Sequence, residues 1–267
     1  MSTHSIRGEQ WFKALSAGAE PVGDLPVSVK AADGQLGDKA ARFIAVVADP
    51  DNHFPRAQAG EVGLLEGWGL AQAVDTAIEL DRHNESKRAL VAIIDVPSQA
   101  YGRREEALAI HQALAGAVDA YARARLAGHP VIGLLVGKAM SGAFLAHGYQ
   151  ANRLIALRDP GVMVHAMGKA SAARVTLRSV EELEKLAASV PPMAYDIDSY
   201  ASLGLLWESL SVSQIEQPTQ GDVSSVRECL IAAINDVKPG DTGLGSRLGA
   251  PNRAASAKVR ELLRAQW

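Results

Sequence analysis

The sequence predicts an α/β protein folded as a single domain, and two observations carry that expectation. Between residues 89 and 164, short apolar runs of strand length alternate with amphipathic helical stretches in the order strand, helix, strand, helix, strand. No Ser/Gly-rich linker or charge run divides the 267 residues. One domain over 1–267 is therefore expected, with its core over about 26–236, a flexible N-terminal segment, a loop at 239–252 and a C-terminal helix.

Each element has its own signal. Residues 26–31 and 43–48 are short, apolar and rich in β-branched side chains, on either side of the turn-like Asp33-Gly34-Gln35-Leu36-Gly37, and predict a pair of strands. Over 61–82, Leu70, Val74, Ala77 and Ile78 recur at helical spacing among Gln72, Asp75, Glu79 and Asp81. The run 89–94, closed by Asp95 and Pro97, has the length of a buried strand rather than a helix. Over 104–126, Ile110, Leu114, Ala117 and Tyr121 make one helical face, which Gly128-His129-Pro130 terminates. A second buried strand at 131–136 follows, then a short helix over 140–149 and brief strands at 154–157 and 162–164. Three more helices are predicted at 180–189, 223–234 and 254–265, the first ended by Pro191-Pro192. The glycines and prolines of 239–252 mark a loop. With 46 alanines and only 5% aromatic residues, the elements should pack closely through small side chains.

Composition narrows the function classes. The chain is 48% hydrophobic and 21% charged, with a net charge of -3, as expected of a soluble globular protein. Without a basic excess or lysines and arginines interleaved with aromatics, no nucleic-acid partner is expected. The charge-free windows 126–137 and 139–152 are separated by Lys138 and studded with glycine, so no membrane span is expected. A lone cysteine, Cys229, and no leader-like N-terminal segment make a cytoplasmic location the expectation. Cys229 has no adjacent histidine and is expected to be a packing residue. Trp68, Trp207 and Trp267 are expected as core or interface anchors.

Several motifs fail on inspection. Gly133, Gly137 and Lys138 are too closely spaced for a phosphate-binding loop, and Ala139 stands where Ser or Thr must reach magnesium. Gly60, Gly63, Gly67 and Gly69 do not have dinucleotide-fingerprint spacing. The seven histidines include no helical pair with a carboxylate partner, so no metal site is predicted.

The stretch that carries chemistry is Val131-Ile132-Gly133-Leu134-Leu135-Val136-Gly137-Lys138-Ala139-Met140-Ser141-Gly142-Ala143-Phe144, a buried strand turning through small residues into a helix. The first turn of a helix has free amide donors, and glycine lets a ligand approach them. Gly142 and Ala143 are thus candidate oxyanion-hole amides. The competing reading is that these glycines serve only close helix-to-sheet packing.

Here the sequence resembles a known family. Gly137-Lys138-Ala139-Met140-Ser141-Gly142-Ala143-Phe144 is similar to the Arg-Lys-Ala-Tyr-Gly-Gly-Ala-Tyr segment in the C-terminal domain of acyl-CoA carboxyltransferases. Ile94-Asp95-Val96-Pro97-Ser98 resembles their strand and Asp-x-Pro-Gly loop, and Val162-Met163-Val164-His165-Ala166-Met167-Gly168-Lys169-Ala170 their following strand and turn. The likeness spans about 89–175. Over its whole length, including Arg7-Gly8-Glu9-Gln10-Trp11-Phe12, the chain resembles the gamma-subunit family of bacterial malonate decarboxylases.

The resemblance implies a crotonase-like (ClpP/crotonase) fold of repeated ββα units. It further implies a half-site completed by a homologous beta subunit, decarboxylating a malonyl thioester on an acyl carrier protein to the acetyl thioester and CO2. An alpha, acyl-transferring subunit would be a further partner. The chain itself would bind no cofactor. The phosphopantetheine-type group would ride on the carrier protein, or the thioester would be that of CoA. Gly142 and Ala143 would form the backbone oxyanion hole, with Ser141 beside them and substrate contacts from Lys138, Ser98, Met167 and Gly168. Ser141 stands where the carboxyltransferases have glycine, and Ser98 is a second departure.

Two alternatives compete. Clp-type serine proteases share the superfamily, and Ser141 and His165, with Asp196 or Asp198 as orienter, could form a nucleophilic triad. A non-catalytic subunit that completes a partner's site by packing alone is the other.

Overall fold

A computed structural model describes residues 5–267. Among these residues the chain forms one mixed sheet of eight strands with helices packed on it. Helix α1 (Arg7–Leu15) and the short β1 (Glu20–Pro21) lead into the antiparallel hairpin β2 (Val29–Leu36) and β3 (Lys39–Val46). Helix α2 (Leu64–Leu80) crosses to β4 (Ala89–Val96). Helices α3 (Arg103–Ala107) and α4 (Ile110–Leu126) cross to β5 (Val131–Met140), which runs straight into α5 (Ser141–Ala146). Then come β6 (Arg153–Leu157), β7 (Met163–His165), the helices α6 (Lys169–Val175), α7 (Val180–Ala187) and α8 (Ile197–Ser202), β8 (Glu208–Leu210), α9 (Gln220–Asp236) and α10 (Ala254–Gln266). Strand order is β1-β2-β3-β4-β5-β6-β8, antiparallel to β3 and parallel beyond it, with β7 pairing the end of β5.

All eight residues of β4 are buried, as a strand covered on both faces demands. Small side chains do set the helix spacing. On α4, Ala113, Ala117, Ala120 and Ala124 are fully buried, and a side chain at Gly67 of α2 would meet the Ala113 backbone at 2.7 Å. The glycine run that fails as a nucleotide fingerprint therefore serves, at Gly67, the close approach of two helices.

The structure departs from the sequence reading at several points. The expected turn over residues 33–37 shrinks to Gly37 and Asp38, because Asp33 inside β2 is held by the buried guanidinium of Arg42, whose Nε and Nη2 donate to it at 2.7 and 2.6 Å. The helix predicted over 104–126 is broken at Ala109, which adopts φ 62°. The break lets Ile110 and Ala113 bury against Phe54, Ala57, Leu64 and Ala100. The core also begins well before residue 26. Trp11 is fully buried on α1 and donates its indole N–H to the Ile215 carbonyl at 2.9 Å. The loop at 239–252 contains the buried Arg247, bonded to the carbonyls of Tyr149 and Ala151.

One buried polar contact ties α5 to the sheet. His147, at the end of α5, is fully buried. Its Nε2 lies 2.9 Å from the Ile93 carbonyl, and its Nδ1 lies 3.1 Å from the Tyr121 hydroxyl. A neutral ring that donates through Nε2 and accepts at Nδ1 satisfies both. Burial pushes its pKa down to about 4, against the smaller opposing effect of the Ile93 hydrogen bond. Because the unfolded ring titrates near 6.5, the unfolded chain binds more protons between those values, so stability is full above about pH 6.5 and is lost as pH falls toward 4. Urea unfolding of the wild type should show a loss of about 3 kcal/mol across that window. In His147→Gln the same pH range should be markedly flatter, and an equally steep variant would contradict this account.

Candidate active site at the end of β5

The site begins with a change of register. Strands β4 and β5 pair in parallel from Leu90↔Val131 to Ile94↔Leu135, and then Val96 pairs with Ala139, so β5 gains residues at the irregularity. Asp95 fills the gap. Its carboxylate accepts the Lys138 amide at 3.1 Å, the Gly8 amide at 3.2 Å and the Ser5 hydroxyl. Gly137 is what makes room for it, because a side chain there would lie 2.0 Å from Asp95 Oδ1. The first half of β5 pairs with β6 and the offset second half with β7, so the sheet parts where β5 ends.

Beyond Met140 the chain turns sharply. Ser141 adopts φ 59°, left-handed backbone that disfavours any side chain, and its hydroxyl donates to the Ala166 carbonyl at 2.9 Å. Gly142 and Ala143 follow in the first turn of α5. The positive φ belongs to Ser141 and not to Gly142. Gly142 is constrained by its surroundings instead, since a Cβ there would lie 3.3 Å from Gln99 Oε1 and 3.4 Å from Leu114 Cδ1. The Gly142 amide already donates to Gln99 Oε1 at 2.8 Å.

Gln99 is the residue that sequence reasoning missed. A backbone bridge fixes it: the Val62 amide donates to the Ser98 carbonyl at 3.0 Å and the Ala100 amide to the Val62 carbonyl at 2.8 Å. The available signal was a polar side chain directly after the Asp95-Val96-Pro97-Ser98 loop, at a strand end facing the start of α5. Ser98 itself turns its hydroxyl to the Gln99 carbonyl at 3.0 Å.

The other expected site residues distribute around this turn. Ser141 and Gly142 line a cavity of about 530 Å³ together with His165 and Ala166. Lys138 lines a different cavity, of about 220 Å³, with Asp95, Gly8 and Glu61. Met167 packs with Met140, Ala172, Leu183 and Tyr195 behind His165, and Gly168 caps the start of α6. Neither lines the cavity that holds Ser141 and Gly142.

The triad is not assembled. Ser141 bonds the Ala166 carbonyl, while His165 stacks on Tyr195 at 4.0 Å and its Nδ1 lies 3.1 Å from the Met167 carbonyl and 3.2 Å from the Met167 amide. Burial lowers the His165 pKa, against the opposing Met167 hydrogen bond. Asp196 caps α8 through the Ser199 amide at 2.8 Å, and Asp198 pairs with Arg158 at 2.9 Å. Cys229 is half-buried, and burial raises its thiol pKa to about 11, so it is no thiolate nucleophile near neutral pH.

Comparison with known proteins identifies the family. The family model described as malonate decarboxylase gamma subunit matches residues 57–267. A Pseudomonas malonate decarboxylase hetero-tetramer, solved in complex with coenzyme A, contains a chain 72% identical to this one. The match covers 98% of this chain and 99% of that one, with a TM-score of 0.94. The malonyl-S-ACP:biotin-protein carboxyltransferase MADD of Malonomonas rubra is 33% identical over 97% of this chain and 88% of its own length. Transcarboxylase 12S shares the fold, with a TM-score of 0.63 at 19% identity over 87% of this chain and 40% of its own.

The left-handed conformation of Ser141 gives a direct test. Ser141→Gly should stabilise the protein by about 1 kcal/mol, less the lost hydroxyl hydrogen bond, whereas Ser141→Val should destabilise it by more than that. Chemical unfolding midpoints of the two variants decide it, and a stabilising valine would show the turn to be unstrained. Similar in sequence to these decarboxylase and carboxyltransferase chains, and matched by the family model over most of its length, the chain belongs to the malonate decarboxylase gamma-subunit family and is a subunit of a decarboxylating enzyme.

Proposed function

We propose that the chain supplies one half of a site that decarboxylates a malonyl thioester, with the backbone amides of Gly142 and Ala143 as its oxyanion donors. The observation that carries the reading is the Gly142 amide, set by the Ser141 turn and already holding an acceptor oxygen at 2.8 Å. Cleavage of the carboxylate C–C bond releases CO2 and leaves its electron pair on the thioester as an enolate, which then takes up a proton to give the acetyl thioester. Amides aimed beforehand at a negatively charged oxygen of the reacting group stabilise that charge without reorganising. Ser98, Lys138, Met167 and Gly168 flank this site as outer contacts in the same reading.

The remaining machinery comes from partners. A homologous beta subunit would hold the rest of the thioester, an acyl carrier protein would present it on a phosphopantetheine-type arm, and an alpha subunit would load it. In the relative, the chain works within a hetero-tetramer and a hetero-dimer, the former solved with coenzyme A and with malonate. Leu65, Trp68, Tyr101, Leu108 and Leu145 are exposed here and offer apolar surface for such a neighbour. In this reading the 267 residues act as one crotonase-type domain of repeated ββα units in the cytoplasm. No helix among the described residues is long and apolar enough to cross a membrane.

Two experiments test the proposal. The purified chain alone should show no malonyl-thioester decarboxylation, and mixing it with its beta-type partner should restore activity through an interface of at least about 2,000 Å². Full activity from an isolated monomer would refute the half-site. In the assembled complex, Gly142→Val should cut the rate by roughly 100-fold or more, because its branched side chain would crowd Gln99 and Leu114 and displace the amide. Ser141→Ala and His165→Ala should each stay within about tenfold, as the first removes one ordinary hydrogen bond and the second the Met167 contact and the Tyr195 stacking, none of them made by the proposed amide donors. A dead Ser141→Ala in a correctly assembled complex would instead favour the nucleophilic triad.

A further inference from the structure

A backbone amide has one N–H to give, and that of Gly142 is already given to Gln99 Oε1 at 2.8 Å. An oxygen of a reacting group can reach this donor only by taking the place of Gln99. Of the groups that meet here, one alone is free to move. The backbone of Gln99 is pinned, because its carbonyl accepts the Tyr101 amide at 2.9 Å and the Ser98 hydroxyl at 3.0 Å, and the residues on either side are bonded to Val62. The Gly142 amide is fixed as well, between the Ser141 turn and the His147 anchor. The Gln99 carboxamide is not. It belongs to a half-buried residue, its bond to Gly142 is the only one the side chain makes among the described residues, and neither of its polar atoms is sealed from solvent without a partner.

We propose that Gln99 is a positioning residue for the reaction, a resident acceptor that holds the Gly142 amide in the resting chain and turns out to solvent when the thioester arrives. This rests on the proposed role of the Gly142 amide as an oxyanion donor. The amide stays where it is, and only the side chain gives way. The consequence is selectivity between charge states. A neutral thioester carbonyl exchanges one neutral acceptor for another of like strength, so this amide adds little to ground-state binding. The enolate oxygen carries charge, and a hydrogen bond to a charged acceptor is about twice as strong as one between neutral groups. With Gln99 in place, the interaction is therefore realised where charge develops, which is where it accelerates the chemical step.

Two substitutions of similar size push that exchange in opposite directions. Gln99→Met removes the acceptor, and in the assembled complex it should lower KM for a malonyl thioester on the carrier protein by about threefold to tenfold, with kcat changing by less. Gln99→Glu sets a charged acceptor on the amide and should raise KM by at least about tenfold. A glutamine that merely held its loop in shape would impair both variants in the same sense. Hydrogen exchange of the full chain, which needs neither substrate nor partner, checks the contact itself: the Gly142 amide should exchange about threefold to tenfold faster in Gln99→Met than in the wild type. An unchanged or raised KM in Gln99→Met, a Gln99→Glu with wild-type KM, or a Gly142 amide indifferent to Gln99→Met would each overturn the proposal. Gly142→Val separates the two levels of the argument. If that variant stays active, the oxyanion role of Gly142 falls and this proposal with it; if it is impaired while Gln99→Met leaves KM unmoved, the resident-acceptor role alone falls.

Discussion

A carboxylate buried at the end of a central strand must be met by donors, and Asp95 is met by amides from two places that would otherwise be independent. The Gly8 amide comes from α1 and the Lys138 amide from the offset part of β5. Holding Lys138 there keeps β5 out of register with β4 after Ile94, and Gly137 permits it by having no side chain to collide with the carboxylate. The remainder of the site follows from that offset. The second half of β5 leaves β6, pairs with β7 and delivers Ser141 to the gap between them. Replacing those hydrogen bonds with none would leave a charge buried and unpaired, which is why the arrangement has little freedom to drift.

Downstream of that offset, the turn is held from both sides. Ser141 in left-handed backbone costs on the order of 1–2 kcal/mol, an expense met by the surrounding contacts. Its hydroxyl is tied to Ala166 after β7, and the far end of α5 is tied to β4 through His147. Between these anchors the Gly142 amide faces Gln99, whose backbone is fixed by the bridge to Val62. The position of this amide is therefore set by the fold itself, with Gln99 as its partner.

How much of this was legible in the sequence follows from the range of the interactions involved. The strands at β4 and β5 and the helices between them come from local periodicity, and both were evident. So was the strand-to-helix turn at Ser141 to Ala143, because glycine and small residues leave a local signature. The contacts that aim the turn join distant parts of the chain. Asp95 meets Gly8 across 87 positions, and Gln99 meets Gly142 across 43, and no spacing rule connects such pairs. The pairing of Asp33 with the buried Arg42 likewise turned an apparent loop into strand, since a charged residue reads as exposed until its partner is known. Ser141, where the acyl-CoA carboxyltransferases have glycine, was visible as a departure. That it bears the positive φ, while Gly142 beside it does not, depends on the backbone path.

The same geometry explains why a serine at a sharp strand-to-helix turn need not be a nucleophile. A triad requires the hydroxyl to point to a base and the base to be oriented by an acid. Here each of the four candidate side chains is engaged elsewhere: Ser141 by Ala166, His165 by Met167 and Tyr195, Asp196 by the α8 amide and Asp198 by Arg158. With burial lowering its pKa and no carboxylate among its partners in the described residues, His165 has only the Met167 carbonyl to favour an imidazolium. What the turn does present is a neutral amide donor. Amides can stabilise developing charge but neither carry a proton to the product carbon nor grip a thioester arm, so a site built on them is chemically incomplete within one chain. If the amides are the donors, as proposed, dependence on a partner follows from the kind of group this fold places at the end of β5, apart from any likeness to a relative solved in a complex.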